Sequence, residues 1–289
     1  MKKKLSLYIL LVLLFLLGAG VLFYPAISSL WAEKHQLSVI KEYNQTIEKT
    51  DPEDLDVERA KATAYNESLL NSNDAMSDPF DEEAGEVTTT EEEAYESILA
   101  IATAMAYVEI PAIDVYLPIY HGTDEETLAQ GVGHLKGSSM PVGGSGSHCV
   151  LSAHSGLPTA ELFTNLEKLE KGDVFYIHVL DQLDVYQVNQ INVVLPSDTS
   201  LLAIDPAADY VTLVTCTPYG VNSHRLLVRG TRIYPETMTE EERSALTGKE
   251  SADKHLTTVE IVQYIAFFFA ASLFIFMIIF FVRRKKAGG

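Results

Sequence analysis

Two uncharged apolar runs, one near each end, constrain this chain more than any other feature. Leu5–Phe23 follows Lys2-Lys3-Lys4, and Ile261–Val282 leads straight into Arg283-Arg284-Lys285-Lys286. At 19 and 22 residues, each is long enough to cross a bilayer core, which takes about 20 apolar residues. Cationic flanks stay on the cytoplasmic side, so two such spans place the body between them outside the cytoplasm. The sequence therefore predicts cytoplasmic tails at 1–4 and 283–289, spans at 5–23 and 261–282, and a linker at 237–260. A cleaved signal peptide is the competing reading of the first run, because Gly18-Ala19-Gly20 offers small residues near its end. The run is longer than the usual signal core of about 7–15 residues, which favours an anchor.

Charge narrows the partners. The chain has 40 Asp and Glu against 21 Lys and Arg, a net charge of −19. Seven of the 21 cations sit in the two terminal clusters, which leaves the body with 14 against 40 acids. Such a body lacks the cationic face that nucleic acid requires. Apolar residues at 47% are too many for a disordered chain. Two cysteines exclude a disulfide-dense scaffold and a zinc site built from cysteine alone. They leave open one disulfide or one reactive thiol. Despite the many acids, no segment matches an EF-hand loop, and no metal or organic cofactor is expected.

The body divides by pattern. Residues 24–72 read as a helical extension, with Leu30, Leu37, Ile40 and Ile47 on overlapping faces. Asp51-Pro52 should split it into two helices, with Asp51 as N-cap and Pro52 at the first helical position. Residues 73–93 read as an acidic solvated loop whose large apolar residues are Met76, Phe80 and Val87. Residues 94–236 turn to strands. Apolar runs at 107–110, 115–119, 149–153, 174–179, 186–194, 211–215 and 226–233 are bounded by Gly, Pro, Asp and Asn. That spacing predicts a mainly β sandwich or barrel, interrupted by helices at 124–131 and 160–169.

Three residues in this part could act together. Cys216 ends the run Val211-Thr212-Leu213-Val214-Thr215, and Pro218 and Gly220 stop the strand, so the thiol sits at a rim. A buried structural cysteine and a disulfide with Cys149 are the competing readings. His154 follows the 149–153 strand, again at a rim. Alternation puts Val150, Ser152 and His154 on one face and Cys149, Leu151 and Ala153 on the other, which pairs His154 with Cys216 rather than Cys149. Arg225 opens the next strand after a short turn, and a hairpin would return it to Cys216; Arg229 lies farther along. A thiolate to attack a carbonyl, an imidazole to move protons and a cation for the oxyanion suit acyl transfer.

At these residues the chain resembles a known family. Thr212-Leu213-Val214-Thr215-Cys216 with Arg225 is similar to the active-site signature of the sortases, cell-wall transpeptidases of Gram-positive bacteria. Ser152-Ala153-His154-Ser155-Gly156 resembles their histidine segment, although the family more often has Gly and Arg where this chain has Ala153 and Ser155. The second apolar run and the tripeptide Asp78-Pro79-Phe80 resemble class C, the pilin-polymerising branch. The resemblance implies a closed sortase-type β-barrel with N-terminal helices and flanking transmembrane helices, and catalysis by Cys216, His154 and Arg225. It also implies a lid, with Asp78 toward Arg225 and Phe80 over Cys216. The implied substrates are pilins that bear an LPxTG-like sorting signal, cut between Thr and Gly and joined to a Lys amine of another pilin. A housekeeping sortase that anchors proteins to peptidoglycan precursor is a neighbouring reading. A non-catalytic adhesion or scaffold module, with Cys149 and Cys216 bridged, is the reading from another class.

Overall fold

The computed structural model describes residues 2–70, 76–81, 89–157 and 159–234. The run at 261–282, its linker and the C-terminal tail lie outside the described residues. So do parts of the acidic loop.

Helix α1 spans Lys2–Lys49 and α2 spans Pro52–Leu69. The break falls where Asp51-Pro52 predicts it: the Asp51 carboxylate accepts a hydrogen bond from the Glu53 amide at 3.0 Å, and Pro52 opens the next helix. No break marks the boundary expected after Phe23, since α1 continues through Pro25. Among the described residues no helix is long and apolar enough to cross a membrane, and most side chains of 5–23 fall outside them. The far end of α1 buries Leu37, Ile40, Tyr43 and Ile47, residues three to four apart that share one helix face. The Tyr43 hydroxyl donates to the Met105 carbonyl at 3.3 Å and accepts from the Leu180 amide at 2.7 Å. Helix α2 docks through Asn66, whose amide bonds both the carbonyl and the N–H of Met140.

Among the described residues, eight strands close into a barrel: β1 (Ala106–Ile110), β2 (Val115–His121), β3 (Val132–His134), β4 (Ser147–Ser152), β5 (Val174–Val179), β6 (Gln182–Val194), β7 (Asp209–Thr217) and β8 (His224–Ile233). Their order around the wall is β1-β2-β3-β4-β7-β8-β6-β5. The β2–β3 and β4–β7 pairs are parallel and the rest antiparallel. Closure pairs the strand edges that would otherwise invite aggregation. The barrel interior is filled from alternate positions, among them Val108, Leu117, Ile119, Leu151, Ile177, Val211, Leu213 and Val228. Gly230 is required here, because a Cβ would come within 2.5 Å of the buried Phe175 ring beside it.

Three segments differ from their sequence reading. The three residues of β3 escape a pattern search because Val-Gly-His is too short to show alternation, yet they link β2 to β4. Residues 160–169, expected as a helix, form turns and one short 3-10 segment at Leu166–Lys168. There the chain is held by the bond from the Phe163 amide to the His154 carbonyl, 3.1 Å, rather than by an i to i−4 ladder. The acidic loop expected to reach residue 93 gives way earlier to helix α3, Thr89–Glu96. Tyr95 anchors α3: it is 2% exposed, and its hydroxyl lies 2.9 Å from His134 Nδ1 and accepts from the Gly122 amide.

Candidate active site

The parallel β4–β7 pair and the β7–β8 hairpin bring the three sequence-predicted residues to one end of the barrel. In the hairpin, Cys216 and Arg225 are direct cross-strand partners, so their side chains leave the sheet on the same face. On the other side, Ser152 is paired with Val214. Past that pair, the Ala153 amide donates to the Val214 carbonyl at 3.2 Å, and the Thr215 hydroxyl donates to the Ala153 carbonyl at 2.7 Å. These two bonds fix the start of the His154 loop against the last residues before the thiol. The turn of 218–223 is tight, with the Val221 and Asn222 amides both bonded to the Pro218 carbonyl at 3.0 Å. Its Tyr219 ring lies against Gly156, where a Cβ would approach to 2.6 Å; with φ at +81°, that position requires glycine.

Both cysteines are free, so the bridge to Cys149 is not formed. Cys149 pairs in register with Val211, one of the interior positions, and points away from the face that carries Cys216. Arg229 is not part of the cluster: it pairs with Thr212, donates to Asn189 Oδ1 at 3.2 Å and stacks over Tyr210.

Residues 76–81 lie over this face. A turn closed by the Asp81 amide on the Asp78 carbonyl, 3.1 Å, presents Asp78 and Phe80 together. Asp78 accepts from Arg225 twice, Oδ1 from Nε at 2.8 Å and Oδ2 from Nη2 at 2.5 Å. Each side chain keeps only 11% of its surface exposed. The Phe80 ring centre is 5.0 Å from the Arg225 guanidinium carbon and 5.7 Å from the His154 ring centre. Met76 and Phe80 pack with Val194 and Leu201 on a buried patch of Leu135, Val150, Leu202, Val214 and Leu227. The sequence reading singled out Phe80 but not Met76 as a covering residue; the signal for Met76 was its being one of few apolar side chains in an acidic stretch.

Electrostatics under this cover favour neutral forms. Burial pushes the Cys216 thiol above its ordinary pKa; Arg225 opposes that and Asp78 adds to it. Burial draws His154 below its ordinary value, against a weaker upward pull from Glu125. The thiol and imidazole therefore rest uncharged while Asp78 occupies Arg225. Removing that carboxylate takes an anion away from the thiol and frees the guanidinium, both of which favour thiolate. Among the described residues, no group of three or more His, Cys, Asp and Glu is arranged to hold a metal ion.

Comparison with known proteins agrees with this geometry. The family model described as Sortase domain matches residues 108–233. Sortase C-1 from Actinomyces oris is 51% identical, with a TM-score of 0.61, over 63% of this chain and 99% of that one. Streptococcus pneumoniae sortase C is 47% identical, with a TM-score of 0.62, over 68% of this chain and 97% of that one. Among curated proteins, Sortase D of Bacillus subtilis is 32% identical over 45% of this chain, and the match spans 64% of that relative.

Proposed function

The chain belongs to the sortase family, and on that premise we propose that it is a class C cysteine transpeptidase that polymerises pilins. The substrate is an LPxTG-like sorting signal near the end of a pilin. Cys216 gives its proton to His154 as its sulfur attacks the Thr carbonyl carbon, and the C–N bond to Gly breaks as the imidazolium passes that proton to the leaving amine. The acyl group then rests on the thiol as a thioester. A Lys amine of a second pilin attacks that thioester, gives up a proton to the imidazole and releases the thiol. Arg225 holds the signal and stabilises each tetrahedral oxyanion with its planar fork. The thiol supplies the covalent step itself.

The observation that carries this reading is the cover on the site. Asp78 fills the guanidinium fork with two carboxylate oxygens, where an acyl oxyanion would go. Phe80 and Met76 fill the apolar patch, where the Leu and Pro of a signal would go. Asp78-Pro79-Phe80 thus occupies the site as a lid that a substrate must displace. A housekeeping sortase has no evident need for a lid of this kind, and the identity to sortase C structures favours the pilin branch.

The same reading includes the membrane. Spans at 5–23 and 261–282, with both cationic tails in the cytoplasm, would tether the barrel outside the membrane at both ends. The test of the chemistry is to incubate the full-length chain in detergent with an LPxTG-containing peptide and weigh the protein. An acyl adduct on Cys216 supports the proposal; an unmodified thiol after the lid has been removed by Asp78→Ala/Phe80→Ala rejects it.

A further inference from the structure

Ser152 is fully buried, and its hydroxyl has no hydrogen-bond partner among the described residues. Buried hydroxyls are normally satisfied, so an unpaired one calls for a physical account. Its position suggests one. Ser152 stands between Val150 and His154 in chain order, and alternation gives all three the same face. Its β7 partner is Val214, which belongs to the patch under Met76 and Phe80. Its β3 partner is Gly133, where the space a side chain would take is already filled by the Gly122 carbonyl and Leu128. The polar atom therefore sits on the lid-bearing face, between the apolar patch and the His154–Cys216 end.

We propose that the Ser152 hydroxyl is a substrate-binding group, which donates a hydrogen bond to a backbone carbonyl of the bound sorting signal once the lid has left. The proposal rests on the sorting-signal reading above and adds a contact to it. A signal with its Thr carbonyl at Cys216 and its Leu-Pro on the Val150–Val214 patch must cross the level of Ser152. That level is two strand residues, about 6.6 Å, from Cys216. An extended peptide crossing there carries carbonyls that need donors, and its Pro has no N–H of its own to offer. A hydroxyl left unpaired in the covered state can then be paired in the occupied one. Occupancy by substrate is thereby favoured over closure by an apolar lid.

The test uses the full-length chain in detergent, in an Asp78→Ala/Phe80→Ala background so that lid opening does not dominate KM. Acylation of Cys216 by an LPxTG-containing peptide is followed for the parent, Ser152→Ala and Ser152→Thr. Loss of one neutral hydrogen bond to substrate should raise KM about 3- to 10-fold for Ser152→Ala, with kcat within about twofold. Ser152→Thr, which keeps the hydroxyl, should stay near the parent. Melting temperature should hold or rise in Ser152→Ala, since an unpaired polar atom has been removed. An unchanged KM for Ser152→Ala overturns the proposal. A clear fall in its melting temperature also overturns it, by showing that the hydroxyl is already partnered in the fold. A parent that forms no adduct at all rejects the sorting-signal reading first, and the Ser152 contact with it.

Discussion

Asp78 holds Arg225 through both carboxylate oxygens, across 147 positions of sequence, while Phe80 of the same turn lies over the guanidinium. The residue that would receive a developing negative charge is thus already neutralised from within the chain. On the lid reading, displacing the turn would free the guanidinium charge and open the thiol beside it in a single event.

Replacing Cys216 by Ala should abolish the acyl adduct and leave the fold intact, because the thiol lies at a strand end and closes no disulfide. Cys149→Ala should keep most activity, with a loss of stability of about 1 kcal/mol, ordinary for a buried point change. Mass analysis of both variants with the peptide, alongside thermal melting, checks the pair. An active Cys216→Ala variant would transfer the nucleophile to another residue.

Arg225→Lys should lower turnover about 10²- to 10³-fold although the charge is kept. A planar fork that can hold two oxygens becomes a single point donor. The measurement is kcat in the lid-free background, where loss of the Asp78 contact cannot compensate. Rates within a few-fold of the parent would remove Arg225 from the catalytic set.

Removing the lid side chains should expose the thiol without loosening the barrel. Half-burial of Phe80 contributes about 1–2 kcal/mol, a part of the figure for full burial. The nearly buried two-bond ion pair adds roughly 1 kcal/mol, at the upper end for partly solvated pairs. The sum, about 2–3 kcal/mol, corresponds to about 30- to 150-fold in the open population. Alkylation of Cys216 in Asp78→Ala/Phe80→Ala should accelerate by that order, with little change in melting temperature. Equal rates would show that the turn does not guard the thiol.

The pH dependence of that alkylation should also move. Asp78 raises the thiol pKa and Arg225 lowers it, so Asp78→Ala alone should shift the midpoint of alkylation to lower pH. Adding Arg225→Ala should move it back up. A midpoint indifferent to both changes would mean that solvent, not this pair, sets the state of the thiol.

Two histidines away from the site set an acid limit on stability. His134 and His148 are buried, and burial draws each down to about 4. The unfolded chain binds these protons at about 6.5. Between about pH 6.5 and 4 the unfolded state therefore carries protons that the fold excludes. Stability must fall as pH falls through that window, by up to about 1.4 kcal/mol per pH unit for each residue. Melting curves from about pH 7 to 5 should show this loss, and His134→Gln/His148→Gln should flatten it.

Much of this was legible in the sequence because the relevant signals are local. Strand runs ended by Pro, Gly and Asn located seven of the eight strands to within a few residues. Alternation put Cys149 on the face opposite His154, while the disulfide with Cys216 stayed open until the register and the free thiols excluded it. The Asp51-Pro52 break needed only capping chemistry. What could not be read depends on distant partners. Tyr95 turns an acidic stretch into a helix only because His134 and the Gly122 amide wait for its hydroxyl. The 160–169 segment has helical spacing, but the His154 carbonyl captures its backbone instead. Asp78 is one of three Asp-Pro acids in the chain, set apart locally only by the aromatic Phe80 that follows in a polar loop; family resemblance pointed it toward Arg225, and the two-bond contact supplies the physical reason.

The opposed faces of Cys149 and Cys216 also bear on durability. Register places the two thiols on either side of one sheet, so they cannot close a disulfide without unravelling β4 or β7. The exposed route to damage is then oxidation of Cys216 itself, which proceeds through thiolate. Under the lid that thiol is 8% exposed and held protonated. In the location proposed for the barrel, outside the reducing cytoplasm, no glutathione pool would repair a sulfenic acid. A turn that guards the thiol, as proposed, would therefore also preserve the nucleophile between substrates.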